Sequence, residues 1–261
     1  MIVDIHNHIL YDLDDGPKNQ EETILLAKQA VESGINHVIA TPHHMHQLND
    51  HLFENAPSTI LSMVEKVNQI LKENKIPLTI YPGIEFHLHD NIQYDIQNNL
   101  DHFLTLNDTG KYILIELPSR HYPAHTENTL YELQRKGLSP ILAHPERNRF
   151  LRRHPERIFH MVQQGILVQI TAGSITGTYG RRLKNFSLHL LNHYLVHFVA
   201  SDAHHHIRRK FELMDAYKFI ENNYSLEYRK SLEANAIHAL AGTNFNIIEP
   251  KFIEKKLHYF F

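Results

Sequence analysis

The sequence has no cysteine, no excess of basic residues and no long apolar run, and each absence excludes a class of protein. Without cysteine among its 261 residues, the chain forms no disulfide, no thiolate–zinc site and no cysteine nucleophile. Its formal net charge of −3 lacks the basic footprint of a nucleic-acid-binding protein. No apolar run reaches about 18 residues, and no basic segment followed by an apolar one opens the chain. We therefore expect a cytoplasmic protein with no nucleic-acid partner and no stable membrane insertion.

Near-continuous apolar runs, interrupted by helical patterns, indicate an α/β protein. Unbroken apolar runs are typical of parallel strands that are buried on both faces. Seven such runs alternate with helical segments, which predicts right-handed crossovers and a barrel one unit short of the eight-stranded type. With 42% hydrophobic residues, we expect a single domain over residues 1–261. The predicted strands are Ile2–Ile5, Val38–Thr41, Leu78–Tyr81, Tyr112–Leu117, Pro140–Ala143, Ile166–Ile170 and Val196–Ala200.

The helical patterns vary in strength. Asn19 with Glu22 resembles a capping box, and Pro57 is placed to open a second helix. After the seventh strand we expect only helices, over 209–222, 226–233 and 234–241. The aromatic tail 257–261 is expected to pack on the body of the protein or on another subunit, as in a homo-oligomer.

Histidines and acids recur at the ends of the predicted strands. In a parallel barrel the carboxyl ends of the strands meet at one face, where functional groups lie. A strand alternates its side chains, so His6 and His8 face the same way, as do Asp202 and His204. Asp15 sits in a turn nearby. The candidate metal ligands are His6, His8, Asp15, His43, Glu85, Glu116, His144, Asp202 and His204.

Each of these residues alone has an ordinary structural explanation. Asp15 fits a polar turn, and Glu85 or Glu116 fits a buried salt bridge. His44, next to His43, is expected to point elsewhere with a supporting role. Together, nine such groups suit a cluster of two or three metal ions. Nitrogen and oxygen ligands without thiolate favour Mn, Fe, Zn or Mg. Such clusters hydrolyse phosphate or amide bonds.

Arginines beside these residues favour phosphate as the substrate group. Arg147 follows His144 by three residues, and Arg208 and Arg209 follow His204. A guanidinium group binds phosphate oxygens in a bidentate way. Arg147 and one of Arg208 or Arg209 are therefore candidate substrate-binding residues.

The motifs resemble a known superfamily. Asp4-Ile5-His6-Asn7-His8 followed by Asp14-Asp15-Gly16-Pro17 is similar to the opening of the PHP (polymerase and histidinol phosphatase) superfamily. More narrowly, the chain resembles the metal-dependent protein tyrosine phosphatases encoded with capsule and exopolysaccharide genes in Gram-positive bacteria. The agreement continues in family order to about residue 245, through the motifs Ala40-Thr41-Pro42-His43-His44, Gly83-Ile84-Glu85, Ile115-Glu116, Ala143-His144-Pro145-Glu146-Arg147 and Ala200-Ser201-Asp202-Ala203-His204.

This resemblance implies a distorted seven-stranded (β/α)7 TIM-like barrel that holds three metal ions, with manganese the most expected. It assigns the ligands to three groups: His6, His8, Glu85 and Asp202; Glu85, Glu116 and His144; Asp15, His43 and His204. Glu85 would bridge two ions. Arg147 and Arg209 match the family's phosphate-binding arginines, although a slip to Arg208 stays open.

The implied reaction is hydrolysis of phosphotyrosine by metal-activated hydroxide, without a covalent intermediate. The implied partner is a bacterial tyrosine kinase with a tyrosine-rich tail, which controls polysaccharide export. Histidinol phosphate or another small phosphomonoester is the alternative substrate. An amidohydrolase fits less well, because that fold has eight strands and commonly a bridging modified lysine. A non-catalytic metal-binding module is disfavoured because no candidate ligand is missing.

Overall fold

The computed structural model describes residues 1–253, the side chain of Asp101 excepted, so the predicted packing of the aromatic tail 257–261 lies outside the described residues. Each of the seven predicted strands is present, with ends that differ by at most a few residues. The strands are β1 (Val3–Asn7), β2 (His37–Ala40), β3 (His43–His44), β4 (His46–Leu48), β5 (His51–Phe53), β6 (Thr79–Pro82), β7 (Glu85–His87), β8 (Tyr112–Glu116), β9 (Ser139–Ala143), β10 (Leu167–Thr171) and β11 (Phe198–Ala200).

The parallel strands form two sheets. One sheet has the order β1-β2-β6 and the other the order β11-β10-β9-β8-β7-β3, while β4 and β5 form a separate antiparallel hairpin. The chain crosses from the first sheet to the second at two prolines, Pro42 after β2 and Pro82 at the end of β6. Since proline has no N–H to donate, the ladder is interrupted at these points.

The two sheets also meet where β1 ends. Asn7 forms an isolated parallel bridge with Ala203, and the backbone N–H of His8 donates to the carbonyl of Ala203 at 2.8 Å. The backbone N–H of Asp202 donates to the carbonyl of His6, also at 2.8 Å. The structure thus shows an α/β fold with parallel sheets. Among the described residues these strands do not form one closed sheet, so a seven-stranded barrel stays a prediction.

Ten α-helices lie in the described part of the chain. They are α1 (Gln20–Glu32), α2 (Pro57–Glu73), α3 (Ile92–Asn98), α4 (Thr126–Arg135), α5 (Arg149–Arg153), α6 (Pro155–Gln163), α7 (Ala172–Thr176), α8 (Arg181–Asn192), α9 (Leu213–Asn223) and α10 (Leu226–Ala241). Short 3-10 turns cover Leu100–His102, Leu106–Asp108 and Pro145–Arg147. No helix within residues 1–253 is long and apolar enough to cross a membrane.

Three local predictions need comment. The side chain of Asn19 caps α1 by accepting from the N–H of Glu22 at 3.0 Å, but the Glu22 carboxylate accepts from Lys18 instead of completing the capping box. The helix predicted from residue 209 begins only at Leu213, because Arg209 pairs with His205 in an isolated bridge. The two predicted C-terminal helices are one, α10.

Helix α10 covers the amino-terminal ends of the strands. Ala236, Ala239 and Leu240 pack in a buried cluster with Val3 and Phe198, from the first halves of β1 and β11. The side chain of Asn235 donates to the carbonyl of His197, just before β11, at 2.9 Å. This end of the molecule is therefore closed by apolar packing, and the opposite end remains for a site.

Candidate metal centre

The carboxyl ends of the strands bring all nine predicted ligands into one region. His6 and His8 project from the end of β1, and their Nε2 atoms lie 3.4 Å apart. Each Nε2 lies 3.3 Å from Oε2 of Glu85, and they lie 3.5 and 3.4 Å from Oδ1 of Asp202. Four side chains from three distant parts of the sequence thus face a common point.

Glu85 stands between this group and a second one. Its Oε2 faces the imidazoles of His6 and His8, whereas its Oε1 lies 2.8 Å from Nε2 of His144. Oε1 of Glu116 lies 3.9 Å from the same nitrogen. A carboxylate with its two oxygens directed at different groups is suited to bridge two cations.

The third group collects around Asp15. Its Oδ1 lies 3.1 Å from Nε2 of His204 and 3.6 Å from Nε2 of His43. His8 also comes close enough to form a four-residue set with these three side chains. Nδ1 of His43 lies 2.9 Å from Oε2 of Glu85, which connects this group to the first two.

Several of these buried polar atoms approach one another at ion-pair distance but form no hydrogen bond of normal geometry in the described structure. Buried polar groups are normally paired, because leaving one unpaired costs free energy. Divalent cations would satisfy nitrogen and carboxylate oxygen atoms that converge in this way. The donor set therefore fits metal ions. The atoms without a hydrogen bond are Asp15 Oδ1, His43 Nδ1, Glu85 Oε2, Asp202 Oδ1 and His204 Nε2.

Electrostatics favour the ligand form of Glu85 and of His204. Burial would raise the pKa of Glu85, but the charges of His6 and His43 hold it well below its ordinary value. Burial lowers the pKa of His204 to about 4, and the charge of His8 adds to the shift, so His204 is neutral near pH 7. Ionised carboxylates and neutral imidazoles are the forms that bind metal.

Groups outside the nine orient the first two imidazoles. Nδ1 of His8 lies 2.6 Å from Oδ2 of Asp14, and Nδ1 of His6 lies 3.0 Å from Oε1 of Gln169. Such contacts fix the ring of a metal ligand and direct its other nitrogen at the ion. Sequence reasoning did not single out Asp14, although it stands beside Asp15, nor Gln169, which had no local signal.

Two further histidines contact Glu116 and were missed. Nδ1 of His46 and Nδ1 of His87 lie 2.7 and 2.9 Å from Oε2 of Glu116, on the side away from His144. The spacing of His87, two residues after Glu85 on the same strand, was a usable signal. His44 lies apart, as expected, with its ring bonded to the backbone of Asn55 at 2.8 Å.

Two arginines border the centre. Arg147 and Arg209 both donate to Oδ2 of Asp202, the latter at 2.8 Å, and these guanidinium groups hold the pKa of this buried carboxyl well below its usual range. Arg209 also lies 3.5 Å from Oδ2 of Asp15. Arg208 is exposed, so the structure places Arg209 rather than Arg208 beside the centre. Asp202 thus directs Oδ1 at the imidazoles and Oδ2 at the arginines.

The backbone around His144 and Asp202 is unusual. Both residues have positive φ angles, of 27° and 53°, which residues other than glycine rarely adopt. The turn that carries Arg147 is held by buried Glu146, which accepts from the N–H of Thr171 at 2.8 Å and from the hydroxyl of Ser174 at 3.0 Å. Backbone strain of this kind clusters at functional sites.

Tyr179 supports the arginines. Its ring lies 5.3 Å from the Arg147 guanidinium, a cation–π distance. Gly173 makes room for it, because a Cβ there would lie 2.7 Å from the ring. Thr178, next to Tyr179, is fixed by a 2.7 Å hydrogen bond to Glu212. Sequence reasoning missed Tyr179, because its contacts are with residues of other elements, far away in the sequence.

Comparison with known proteins agrees with this geometry. Residues 2–241 match the family described as capsular polysaccharide synthesis, CpsB/CapC. The chain belongs to the CpsB/CapC family. It is 41% identical over 235 residues to the tyrosine-protein phosphatase YwqE of Bacillus subtilis, covering 90% of each chain. It is 40% identical over 212 residues to the putative tyrosine-protein phosphatase CapC of Staphylococcus aureus, covering 81% of this chain and 80% of that one.

Solved structures extend the comparison. A structure described with YwqE from Bacillus subtilis and CpsB from Streptococcus pneumoniae as unique metal-dependent tyrosine phosphatases matches with a TM-score of 0.90 and 38% identity, covering 97% of this chain and all of that one. A phosphotriesterase homology protein from Escherichia coli matches with a TM-score of 0.55 at 11% identity, covering 90% of this chain and 96% of that one, which shows a likeness of fold alone. The family predicted from the motifs is confirmed.

Proposed function

We propose that this CpsB/CapC member is a metal-dependent protein tyrosine phosphatase, a phosphoric monoester hydrolase that acts on phosphotyrosine in proteins. One observation carries the proposal: Asp202 joins a buried cage of imidazoles and carboxylates to two arginines through its two oxygens. The related proteins YwqE and CpsB are named as tyrosine phosphatases, and the first is 41% identical to this chain. Family membership and site chemistry thus agree.

The nine predicted ligands would hold the metals, which we propose to be three per chain and to be manganese. Bound there, divalent ions supply Lewis acidity and lower the pKa of a coordinated water. His6, His8, Glu85 and Asp202 would form one position, Glu85, Glu116 and His144 a second, and Asp15, His43 and His204 a third. This grouping is the one that the family resemblance implies, and the short distances from Glu85 to both His6 and His144 support it.

The arginines would bind the phosphate group. Their N–H groups hold Oδ2 of Asp202 in this structure, and the planar guanidinium fork matches phosphate oxygens in the same bidentate way. Arg147 and Arg209 would therefore orient the phosphate and offset the charge that develops on it. The phenol released has a pKa of about 10, so the phenolate needs little protonation to leave.

A cleft gives the substrate access to the centre. It has a volume of about 700 Å³, runs between the β4–β5 hairpin and the segments after β7 and β8, and has Glu116 on its wall. His46 and His87 also line it, together with exposed Arg120. We propose that the tyrosine side chain enters here, within a single domain of PHP type, and that the protein substrate is a bacterial tyrosine kinase of polysaccharide export.

Purified protein, stripped with EDTA and reloaded with Mn²⁺, Fe²⁺, Zn²⁺ or Mg²⁺, tests the proposal. We expect hydrolysis of a phosphotyrosine peptide to vanish on stripping and return with Mn²⁺, with about three bound ions per chain by elemental analysis. A phosphoserine peptide of the same sequence and histidinol phosphate serve as comparison substrates. Faster turnover of histidinol phosphate would contradict the assignment to phosphotyrosine, and full activity after verified metal removal would contradict the metal centre.

A further inference from the structure

Basic residues concentrate in short segments beside the site, although the net charge of the chain is −3. Four of the seven residues 147–153 are arginines, and Arg181 and Arg182 adjoin each other at the start of α8. Residues 208–210 are all basic. No acidic residue lies within any of these segments. An average over the whole composition conceals such local charge.

The fold brings the first two segments together. Nη1 of Arg152 donates to the backbone carbonyls of Glu146 and Arg147 at 2.7 and 2.8 Å, which ties α5 to the turn that carries a phosphate-binding arginine. Helix α8 packs against the Pro145–Arg147 turn, and burial and then the charge of Arg182 lower the pKa of Arg152, so the start of α8 lies close to α5. The arginines are therefore neighbours in space.

The segment after β8 joins the same face. The backbone N–H of Arg149 donates to the carbonyl of Ser119 at 2.9 Å. The side chain of Asn148 donates to the carbonyls of Pro118 and His121 at 2.7 and 2.9 Å. Exposed Arg120 lies between these contacts, on the wall of the substrate cleft. We call the following set the arginine surface: Arg120, Arg149, Arg152, Arg181 and Arg182.

These arginines are available to an anionic ligand. All are exposed except half-buried Arg152. Within the described chain no carboxylate lies at ion-pair distance from any of them, in contrast to Arg157, which pairs with Glu127 at 2.8 Å. Like charges held close together raise the free energy of the protein, and an acidic ligand relieves this repulsion.

We propose that the arginine surface binds acidic residues, aspartate or glutamate, that flank the phosphotyrosine of the polypeptide substrate. This proposal rests on the proposed function. The surface is continuous with Arg147 through Arg152, so the molecule whose phosphate occupies the centre is the one that lies across it. Residues two or three positions from the phosphotyrosine lie about 7–10 Å along an extended chain, beyond the metal centre itself.

The test uses the metal-loaded full chain and two phosphotyrosine peptides. One carries aspartate and glutamate on both sides of the phosphotyrosine, and the other carries asparagine and glutamine at the same positions. The variant Arg149→Gln/Arg182→Gln removes two charges from the arginine surface. The matched control, Lys72→Gln/Lys75→Gln, removes two exposed charges at the C-terminal end of α2, which precedes the start of β6 and so lies at the opposite end of the molecule.

We expect kcat/KM of the wild type to favour the acidic peptide about tenfold at low ionic strength and less in high salt, as for other electrostatic recognition. The arginine variant should reduce the preference to about twofold, with hydrolysis of p-nitrophenyl phosphate unchanged, while the lysine control keeps the preference.

Other outcomes overturn the proposal. An equal preference for the acidic peptide in wild type and arginine variant would show that the arginine surface does not recognise the residues that flank the phosphotyrosine. If the arginine substitutions abolish binding to phosphatidylglycerol vesicles but leave the peptide preference unchanged, the arginine surface binds a membrane instead. A wild type that hydrolyses both peptides equally overturns this proposal alone, whereas one that hydrolyses neither also overturns the proposed function.

Discussion

The two ends of the strands differ in how they treat buried polar groups. At the amino-terminal end, α10 seals an apolar cluster, and buried His197 accepts a hydrogen bond from the N–H of Val168 at 3.0 Å. At the carboxyl end, imidazoles and carboxylates converge, and a group of neighbouring atoms that includes Glu85 Oε2 lacks hydrogen bonds, whereas Nε2 of His197 lacks one at the other end but lies apart from this group. The first arrangement stabilises the fold by itself. The second has the composition of a metal centre, which marks it as the candidate functional end.

The largest effect is expected where the metal cage and the arginines meet. Asp202→Ala removes the carboxylate that faces His6 and His8 and also holds Arg147 and Arg209. We expect kcat/KM for a phosphotyrosine peptide to fall by about a thousandfold or more, because metal and guanidinium groups each supply several kcal/mol of charge stabilisation. Elemental analysis should show fewer bound ions, and circular dichroism a folded protein. His6→Ala should behave alike, and near-full activity in either variant would refute the ligand assignment.

At the amino-terminal end, His197 should contribute to the stability of the fold against acid. Burial lowers the pKa of His197 to about 4 from 6.5, and protonation would break its bond to Val168. Since the folded pKa is depressed, this contribution is complete above pH 6.5 and is lost as the pH falls toward 4. The loss amounts to at most about 3.5 kcal/mol at roughly 1.4 kcal/mol per pKa unit.

Urea unfolding of metal-free protein between pH 7 and pH 4.5 measures this loss. His197→Asn should start less stable at pH 7 and lose less stability on acidification than the wild type, with kcat of the folded, metal-loaded enzyme nearly unchanged at pH 7. Parallel stability curves for the two proteins would show that His197 does not titrate in this window. A large fall in kcat would contradict the proposal that the amino-terminal end stabilises the fold without taking part in catalysis.

At the functional end, a change at Arg147 should weaken substrate binding without destabilising the fold. Arg147→Ala is expected to raise KM for phosphomonoesters and to lower kcat/KM about a hundredfold, as for loss of one charged donor to a developing anion. Metal content and the melting temperature should change little, since Asp202 keeps its bond to Arg209. Arg208→Ala, on an exposed neighbour of the second arginine, is the matched control and should leave KM unaltered. Unchanged kinetics in Arg147→Ala would remove it from the site.

The smallest effect is expected from the histidines behind Glu116. His87→Gln loses the 2.9 Å contact to Oε2 of Glu116 while the opposite oxygen still faces His144. Loss of an outer contact to a metal-binding carboxylate typically weakens metal binding about tenfold to a hundredfold, and we expect the lower value because His46 keeps a second contact. Competition with a chelator measures this affinity, and His46→Gln/His87→Gln should exceed either single change. Equal affinity in the double variant and wild type would deny these histidines a role.

Sequence patterns predicted which residues lie at the carboxyl ends of the strands better than they predicted the contacts among those residues. Strand ends can be predicted because hydrophobic runs stop there, and a polar residue such as Glu85 or Glu116 follows directly. Gln169 and Tyr179 were missed because their roles depend on partners far away in the chain, whereas His87 had a local signal in its spacing from Glu85. The start of α9 was misplaced for a similar reason, since the His205–Arg209 bridge overrides a helical pattern.

The sequence by itself determined the α/β class, seven of the strands, the residues of the candidate metal centre and the family. These follow from local periodicity, and from motifs whose residues are close along the chain. Only the tertiary structure decided that Asp202 faces both imidazoles and arginines, that Arg209 rather than Arg208 reaches it, and that an acidic chain carries a basic surface beside its site. Such facts depend on distances between residues separated by up to two hundred positions, and those distances arise only when the strands assemble and bury their apolar faces.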